Sequence, residues 1–309
     1  MLKPKALRAG DRIGIIATSG PTAAENVKST KKELEGLGFR VELAPGCFAS
    51  HGYLAGKDEL RADNLNKMFA DKRIDGIICL RGGYGSTRIL DKVDFDVIKA
   101  KPKIFVGYSD VTALHIAINQ ISGLVTFHGP MASSDIAGEL DDFTRGEFLR
   151  AIMEPKPMEY IPNPQDIKIQ TLVKGGACGI IIGGNLSLIS ATMGTRYEID
   201  TGGKILFLEE IAEEPYRIDR MLTQIALAGK FDDASGIVLG DWNNCESKIY
   251  GDSLNLMEVF EDIIIPYGKP TIFNLKAGHC KPKVTLPFGV DALLDADEGK
   301  LIIKESATV

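Results

Sequence analysis

The chain has 309 residues, 44% hydrophobic and 25% charged, a globular profile long enough for two cores. A formal charge of −6 gives no electrostatic basis for binding nucleic acid or an anionic membrane, both of which require a clustered cationic surface. Charges interrupt the opening Met1-Leu2-Lys3-Pro4-Lys5, so no signal-peptide core is expected, and apolar runs such as 13–17 and 179–182 fall far short of the roughly 20 residues that span a bilayer. A cytoplasmic protein without a membrane segment is the expectation. Five scattered cysteines (Cys47, Cys79, Cys178, Cys245, Cys280) form no C-x-x-C pair and fit a reducing compartment. Cys280 adjoins His279, which keeps a metal or thiol-nucleophile reading open, but no ligand cluster with recurring spacing accompanies it, and no metal is expected.

From residue 12 to about 130, short β-branched runs alternate with amphipathic stretches, the pattern of βα units around a mostly parallel sheet. Strands are predicted at 12–17, 39–43, 76–80, 104–106 and 124–127, and helices at 23–37, 58–70 and 111–121. In the last helix Val111, Leu114, Ile118 and Ile121 recur at spacings of three and four, one apolar stripe that puts Ser109 at a strand-to-helix junction. A helix over 142–152 leads into a stretch with prolines at 155, 157, 162 and 164, which resist both helix and central strand. Segment 154–166 therefore reads as a linker between a domain at 1–153 and a domain at 167–309. The second domain reads as β-rich, with strands at 177–182, 204–208, 236–239, 284–286, 292–294 and 301–303 and helices at 215–227 and 254–264.

The segment Gly107-Tyr108-Ser109-Asp110-Val111 sets a serine in a tight turn where helix N–H groups and their partial positive charge face any chemistry at its oxygen. It has the opening of Gly-x-Ser-x-Gly with valine in place of the last glycine; it reads equally as an N-cap. A serine nucleophile needs a base, and the histidines are His51, His115, His128 and His279. His51 and His115 read as structural, His128 as a site-lining residue at a strand end, and His279 as a loop residue beside a glycine that allows close backbone approach. A carboxylate to orient the imidazole is available in Glu209-Glu210, which end an apolar strand, although an acid at a strand end is ordinarily just solvated. The glycine-rich Arg81-Gly82-Gly83-Tyr84-Gly85 lacks the Gly-Lys-Ser/Thr ending of a phosphate loop, so no nucleotide cofactor is implied.

Those segments, together with Gly10-Asp11-Arg12-Ile13, Ser19-Gly20-Pro21, Gly183-Gly184-Asn185-Leu186, the run Leu208-Glu209-Glu210-Ile211-Ala212-Glu213-Glu214-Pro215-Tyr216-Arg217-Ile218-Asp219-Arg220 and Gly278-His279, resemble the signature blocks of the murein LD-carboxypeptidases. This is the serine peptidase family that also contains the microcin C immunity proteins, and the resemblance runs in order along nearly the whole chain. It implies an α/β fold: a Rossmann-like N-terminal domain with a mostly parallel sheet, carrying the serine, and a β-rich swivelling C-terminal domain, carrying the acid and the histidine.

Position by position the resemblance implies Ser109 as nucleophile, His279 as base and Glu209, rather than Glu210, as its orienter. The backbone N–H groups of Asp110 and Gly83 are the expected oxyanion donors. Gly82, Tyr84, Asn185 and Arg217 are the candidate substrate contacts; on physical grounds Arg81, Arg88 and Arg220 also qualify to hold a terminal carboxylate. The implied reaction, which needs no cofactor, cuts the bond from an L-configured centre to a terminal D-alanine in murein tetrapeptides during cell-wall recycling. Homodimers are implied by the family. One rival keeps the triad and cleaves a peptidyl-nucleotide antibiotic; that branch stacks the base on an aromatic side chain, whereas here residues 155–183 offer only Tyr160 and the single tryptophan is Trp242. Another rival is a muropeptide-binding protein without turnover.

Overall fold

The computed structural model describes residues 1–249 and 251–309, which divide into two compact units. The first comprises Met1–Lys156, Thr285–Gly289 and Ser306–Val309; the second comprises Pro157–Val284 and Val290–Glu305.

The first unit is an α/β sheet built on β1 (Arg12–Ile16), β2 (Arg40–Leu43), β3 (Gly76–Cys79), β4 (Ile104–Gly107) and β5 (Thr126–His128), all paired in parallel in the order β5-β4-β3-β1-β2. Every residue of β3 and β4 is buried, which is why these strands read as unbroken apolar runs rather than alternating ones. The helices are α1 (Ala24–Gly36), α2 (Asp58–Ala70), α3 (Ser86–Ile89), α4 (Phe95–Ala100), α5 (Thr112–Ala117) and α6 (Asp142–Met153). In α1 the buried residues Val27, Thr30 and Leu34 keep helical spacing. α2 buries Arg61, whose guanidinium donates to Thr18 O, Gly85 O and the Asp58 carboxylate, and near its C-terminus the Met68 carbonyl accepts from the buried Lys103 ammonium at 3.0 Å.

The helix predicted over 111–121 is in fact three kinds of turn: a 3-10 segment at Ser109–Val111, then α5, then a π segment at Ile118–Ser122 that ends at Gly123 in the left-handed region, φ 67°. The wider π turn rotates the later residues off the helical stripe, so Val111, Leu114 and Ile118 are buried while Ile121 is 45% exposed.

The second unit holds β6 (Pro157–Tyr160), β7 (Gln170–Val173), β8 (Gly176–Asn185), β9 (Ile205–Ile211), β10 (Gly236–Asn243) and β11 (Thr271–Phe273). β12 (Leu286–Phe288) belongs to the first unit, and β13 (Asp291–Asp295) and β14 (Lys300–Ser306) complete the second sheet. Its order is β6-β14-β13-β8-β9-β10-β11-β7, parallel from β8 to β11 and antiparallel at β13/β8, β13/β14 and β11/β7. The helices are α7 (Leu186–Thr192), α8 (Pro215–Leu227), α9 (Lys230–Asp233) and α10 (Leu256–Ile263).

Beyond the broken helix at 111–121 and elements the sequence reading did not include, such as β7, β11 and α7, two of its segments take a different place. Within 154–166, residues Pro157–Tyr160 form an edge strand, and a proline at the first position of an edge strand costs no ladder hydrogen bond. The strand expected at 284–286 lies at Leu286–Phe288 and pairs antiparallel with β5, Leu286 opposite His128 and Phe288 opposite Thr126, as the edge of the first sheet.

Candidate active site

Ser109 follows β4 at the turn the sequence singled out. Gly107 permits the turn to fold back, because a Cβ there would lie 2.8 Å from Val111 Cγ1. Ser109 takes φ 62°, a left-handed conformation that costs a non-glycine residue about 1–3 kcal/mol and clusters at functional sites. Its hydroxyl is not a helix cap: the residue preceding the 3-10 segment is Tyr108, in extended conformation and with no side-chain capping bond. Here the strained backbone aims the side chain instead of satisfying the helix.

The glycine loop closes directly on this serine. A Cβ on Gly82 would sit 2.8 Å from both Cβ and Oγ of Ser109, so only glycine fits. Gly83 takes φ 120° and Gly85 φ 134°, regions that L side chains rarely adopt. The Gly82 carbonyl accepts from Gly20 N–H at 3.2 Å. Because C=O and N–H of a trans peptide point in opposite directions, the Gly83 N–H of the same peptide is turned away from Gly20. Among the described residues neither Gly83 N–H nor Asp110 N–H donates a hydrogen bond to the protein. Tyr84 is 48% exposed and its ring lies 5.9 Å from that of Tyr53.

In the second unit the two acids that end β9 part company, since successive side chains of a strand point to opposite faces. Glu209, wholly buried, accepts through Oε2 from His279 Nδ1 at 2.6 Å. That bond assigns the proton to Nδ1 and leaves Nε2 as the basic nitrogen. Gly278, at φ 112°, brings the loop onto the carboxylate; a Cβ there would lie 2.6 Å from Glu209 Oε2. Asn243, at the end of β10, fixes the same loop by donating Nδ2–H to the His279 carbonyl at 2.7 Å.

Glu210 turns the other way and accepts from Asn185 Nδ2 (2.8 Å), Ser187 N (2.8 Å), Ser187 Oγ (2.7 Å) and its neighbour Ile211 N (2.9 Å). Burial pushes its pKa above the ordinary glutamate value, and Glu209 beside it adds to the rise. Glu210 thus ties the start of α7 to the sheet.

The other sequence candidates take distinct places. Asn185 is buried against Glu210. Arg217 is partly exposed, with Nη1 3.4 Å from Glu213 and Nε donating to Tyr216 Oη at 3.0 Å, and it lines a cavity of about 520 Å³ with Ser187, Ser190 and Arg220. Arg88 is committed to Asp58 at 3.0 Å, and Arg81 Nη1 donates to Pro21 O at 3.2 Å. His51 is exposed in a bridge with Leu54. His115 is fully buried, donates from Nε2 to Gly107 O at 2.8 Å, and is driven by burial down to a pKa of about 4. His128 packs its ring against Tyr108 and Phe288. Burial raises the Cys280 thiol to about 12, so at neutral pH it is not a thiolate nucleophile.

Sequence reasoning singled out Gly278 for close backbone approach but missed Asn243 and a buried polar knot of Ser19, Ser86 and Asp110 beneath the glycine loop. Only Asp110, adjacent to the serine, carried a local signal.

The LD-carboxypeptidase N-terminal domain matches residues 13–129 and the LD-carboxypeptidase C-terminal domain matches residues 178–294. A Bacillus subtilis protein named "Probable murein peptide carboxypeptidase" is 44% identical over 305 residues, 98% of this chain and 94% of that one. Among solved structures, the muramoyltetrapeptide carboxypeptidase from Oxalobacter formigenes superposes with a TM-score of 0.83 at 30% identity, covering 95% of this chain and 99% of its own. The microcin C7 self immunity protein MccF, in its wild-type apo state, superposes with a TM-score of 0.93 at 25% identity and full coverage of both chains. Likeness of this extent, in sequence and in fold, makes the chain a member of the LD-carboxypeptidase family.

Proposed function

We propose that this carboxypeptidase removes the terminal D-alanine from murein tetrapeptides, with Ser109 as nucleophile, His279 as general base and Glu209 as the carboxylate that holds the imidazole. The observation that carries the reading is the 2.6 Å bond from His279 Nδ1 to the wholly buried Glu209, closed over by Gly278, where a Cβ would lie 2.6 Å from the carboxylate. A neutral imidazole held this way presents Nε2 as an acceptor for the serine proton. Ser109 attacks the carbonyl carbon, and the developing oxyanion takes hydrogen bonds from the N–H groups of Asp110 and Gly83. His279 then protonates the departing D-alanine nitrogen, the acyl-enzyme forms, and water activated by the same imidazole releases the tripeptide. Glu209 remains ionised and stabilises the transient imidazolium.

The names of the relatives support murein peptides as substrate. The five thiols, all free, are consistent with a cytoplasmic role in cell-wall recycling, and a homodimer follows from the family resemblance. Light scattering behind size exclusion tests the oligomer.

The whole-chain likeness to MccF favours a second reading, hydrolysis of a peptidyl-nucleotide. Mass spectrometry after incubation with muropeptide tetrapeptide or with an aminoacyl-sulfamoyl adenylate separates the two. Loss of one alanine from the tetrapeptide is expected; cleavage of the adenylate alone would transfer the chain to the second reading. Binding of tetrapeptide without cleavage would make it a non-catalytic receptor.

A further inference from the structure

Beneath the glycine loop lies a group the mechanism above does not use. The Asp110 carboxylate is 1% exposed, yet it is fully engaged: Oδ1 accepts from Gly85 N at 3.2 Å, and Oδ2 accepts from Ser86 N at 2.8 Å and from Ser19 Oγ at 2.5 Å. Ser19 and Ser86 hydroxyls are themselves 3.1 Å apart, and Ser86 Oγ bonds Thr18 Oγ1 at 3.2 Å. From the other side the buried Arg61 guanidinium donates to Gly85 O at 2.8 Å, to Thr18 O and to the Asp58 carboxylate. The Gly85 residue is thereby held at both its N–H and its C=O, and segment 18–20 is tied to the glycine loop three times, by Asp110, by Arg61 and by the Gly20 N–H to Gly82 O bond.

We infer that the Asp110 side chain, with Ser19, is a positioning device that sets the Gly83 N–H opposite the Ser109 oxygen. The reasoning is geometric. A loop holding Gly82, Gly83 and Gly85 has large backbone freedom, and ordering it for catalysis must be supported by bonds elsewhere. Those bonds come from the residue next to the nucleophile, so the amide of Asp110 and the loop that carries the second donor move as one body. Burying a carboxylate is costly unless all its oxygens are satisfied, and here three donors satisfy them, all on the two segments that flank the turn. A group that only stabilised the fold would have no need to bridge these two loops to the serine turn. This role rests on the proposed serine chemistry.

The test measures kcat and KM for D-alanine release together with the second-order rate at which a fluorophosphonate modifies Ser109, a reaction that forms the oxyanion without using the peptide. Asp110→Asn keeps the backbone donor but sets an NH2 group against one of the N–H groups; kcat and phosphonylation are expected to fall together by about 100-fold, with KM within threefold. Ser19→Ala removes a single bond, and a parallel fall of about tenfold is expected at an unchanged melting temperature. Should Asp110→Asn fail to fold, Ser19→Ala decides alone. Wild-type kcat and phosphonylation in the variants, or a loss confined to KM, would overturn the positioning role. If the wild-type protein is phosphonylated but releases no D-alanine, the substrate reading fails while the phosphonylation rates still decide the role of Asp110. Absence of phosphonylation in the wild type would end both.

Discussion

The two regions to which the proposal assigns the chemistry, the Ser109 turn and the His279 loop, are made from different physics. The Ser109 turn is built from backbone: a left-handed serine and glycines in places where a Cβ would not fit. The His279 loop is built from side chains: a buried carboxylate, an imidazole and an asparagine that holds the loop. The first region stores conformational strain and the second stores the cost of a desolvated charge. The two should therefore respond differently to mutation, the serine turn through backbone freedom and the histidine loop through charge and steric fit.

The largest effect expected is that of Ser109→Ala, which should abolish D-alanine release by on the order of 10⁴-fold or more without lowering the melting temperature, because alanine keeps the turn while losing the hydroxyl. Turnover at the wild-type rate would remove the serine mechanism altogether. Next comes the contrast between the neighbouring acids. Glu209→Gln should cost about 10⁴ in kcat, measured by initial rates, with no loss of stability, since it replaces a buried charge by a neutral group of the same shape. Glu210→Gln should do the reverse, costing roughly 1–3 kcal/mol in urea unfolding by disrupting the bonds to Asn185 and Ser187, with kcat of the folded protein within tenfold of wild type. Gly278→Ala should lower kcat by about 100-fold, because its Cβ would displace the Glu209 carboxylate and with it the imidazole.

The smaller effects are on stability. His115 is held neutral, with its folded pKa depressed to about 4 from an unfolded value of 6.5. Between those values the unfolded chain binds a proton that the folded chain does not, so the stabilisation is complete above about pH 6.5 and is lost as pH falls toward about 4, by about 1.4 kcal/mol per pH unit. Urea melts at stepped pH should show that slope, and His115→Gln should flatten it by one proton. Last, Ser109→Gly should be about 1 kcal/mol more stable than Ser109→Ala, since glycine alone relieves φ 62°. An equal melting temperature for the two would mean that the turn stores no strain.

How much of this was legible beforehand follows from whether the cause was local. β3 and β4 could be read because burial on both faces leaves an unbroken apolar run. The turn at Ser109 could be read because strand, glycine and helix follow one another within a few residues. Glu209 continues the strand at a position expected to be buried, but its choice over Glu210 as the partner of His279 was decided by family resemblance, because which face meets His279 depends on where a loop 70 residues later arrives. The polar knot of Ser19, Ser86 and Asp110 joins residues up to 91 apart in sequence, and no periodicity announces it. The π segment after α5 escaped for the opposite reason: its residues fit an ordinary helix, and only the exposed Ile121 betrays the change of phase.

The Leu286–Phe288 strand bears on how the polypeptide is made. Its backbone closes the open edge of β5, yet it emerges from the ribosome more than 150 residues after β5 does. Until then the nascent first unit carries an unpaired β-edge, the feature most prone to pairing with the wrong chain. A fragment ending at residue 156 should accordingly self-associate, and a synthetic peptide spanning 284–290 should suppress it. Late completion of an early-made sheet also gives synthesis a natural checkpoint, because a truncated product never gains its final strand.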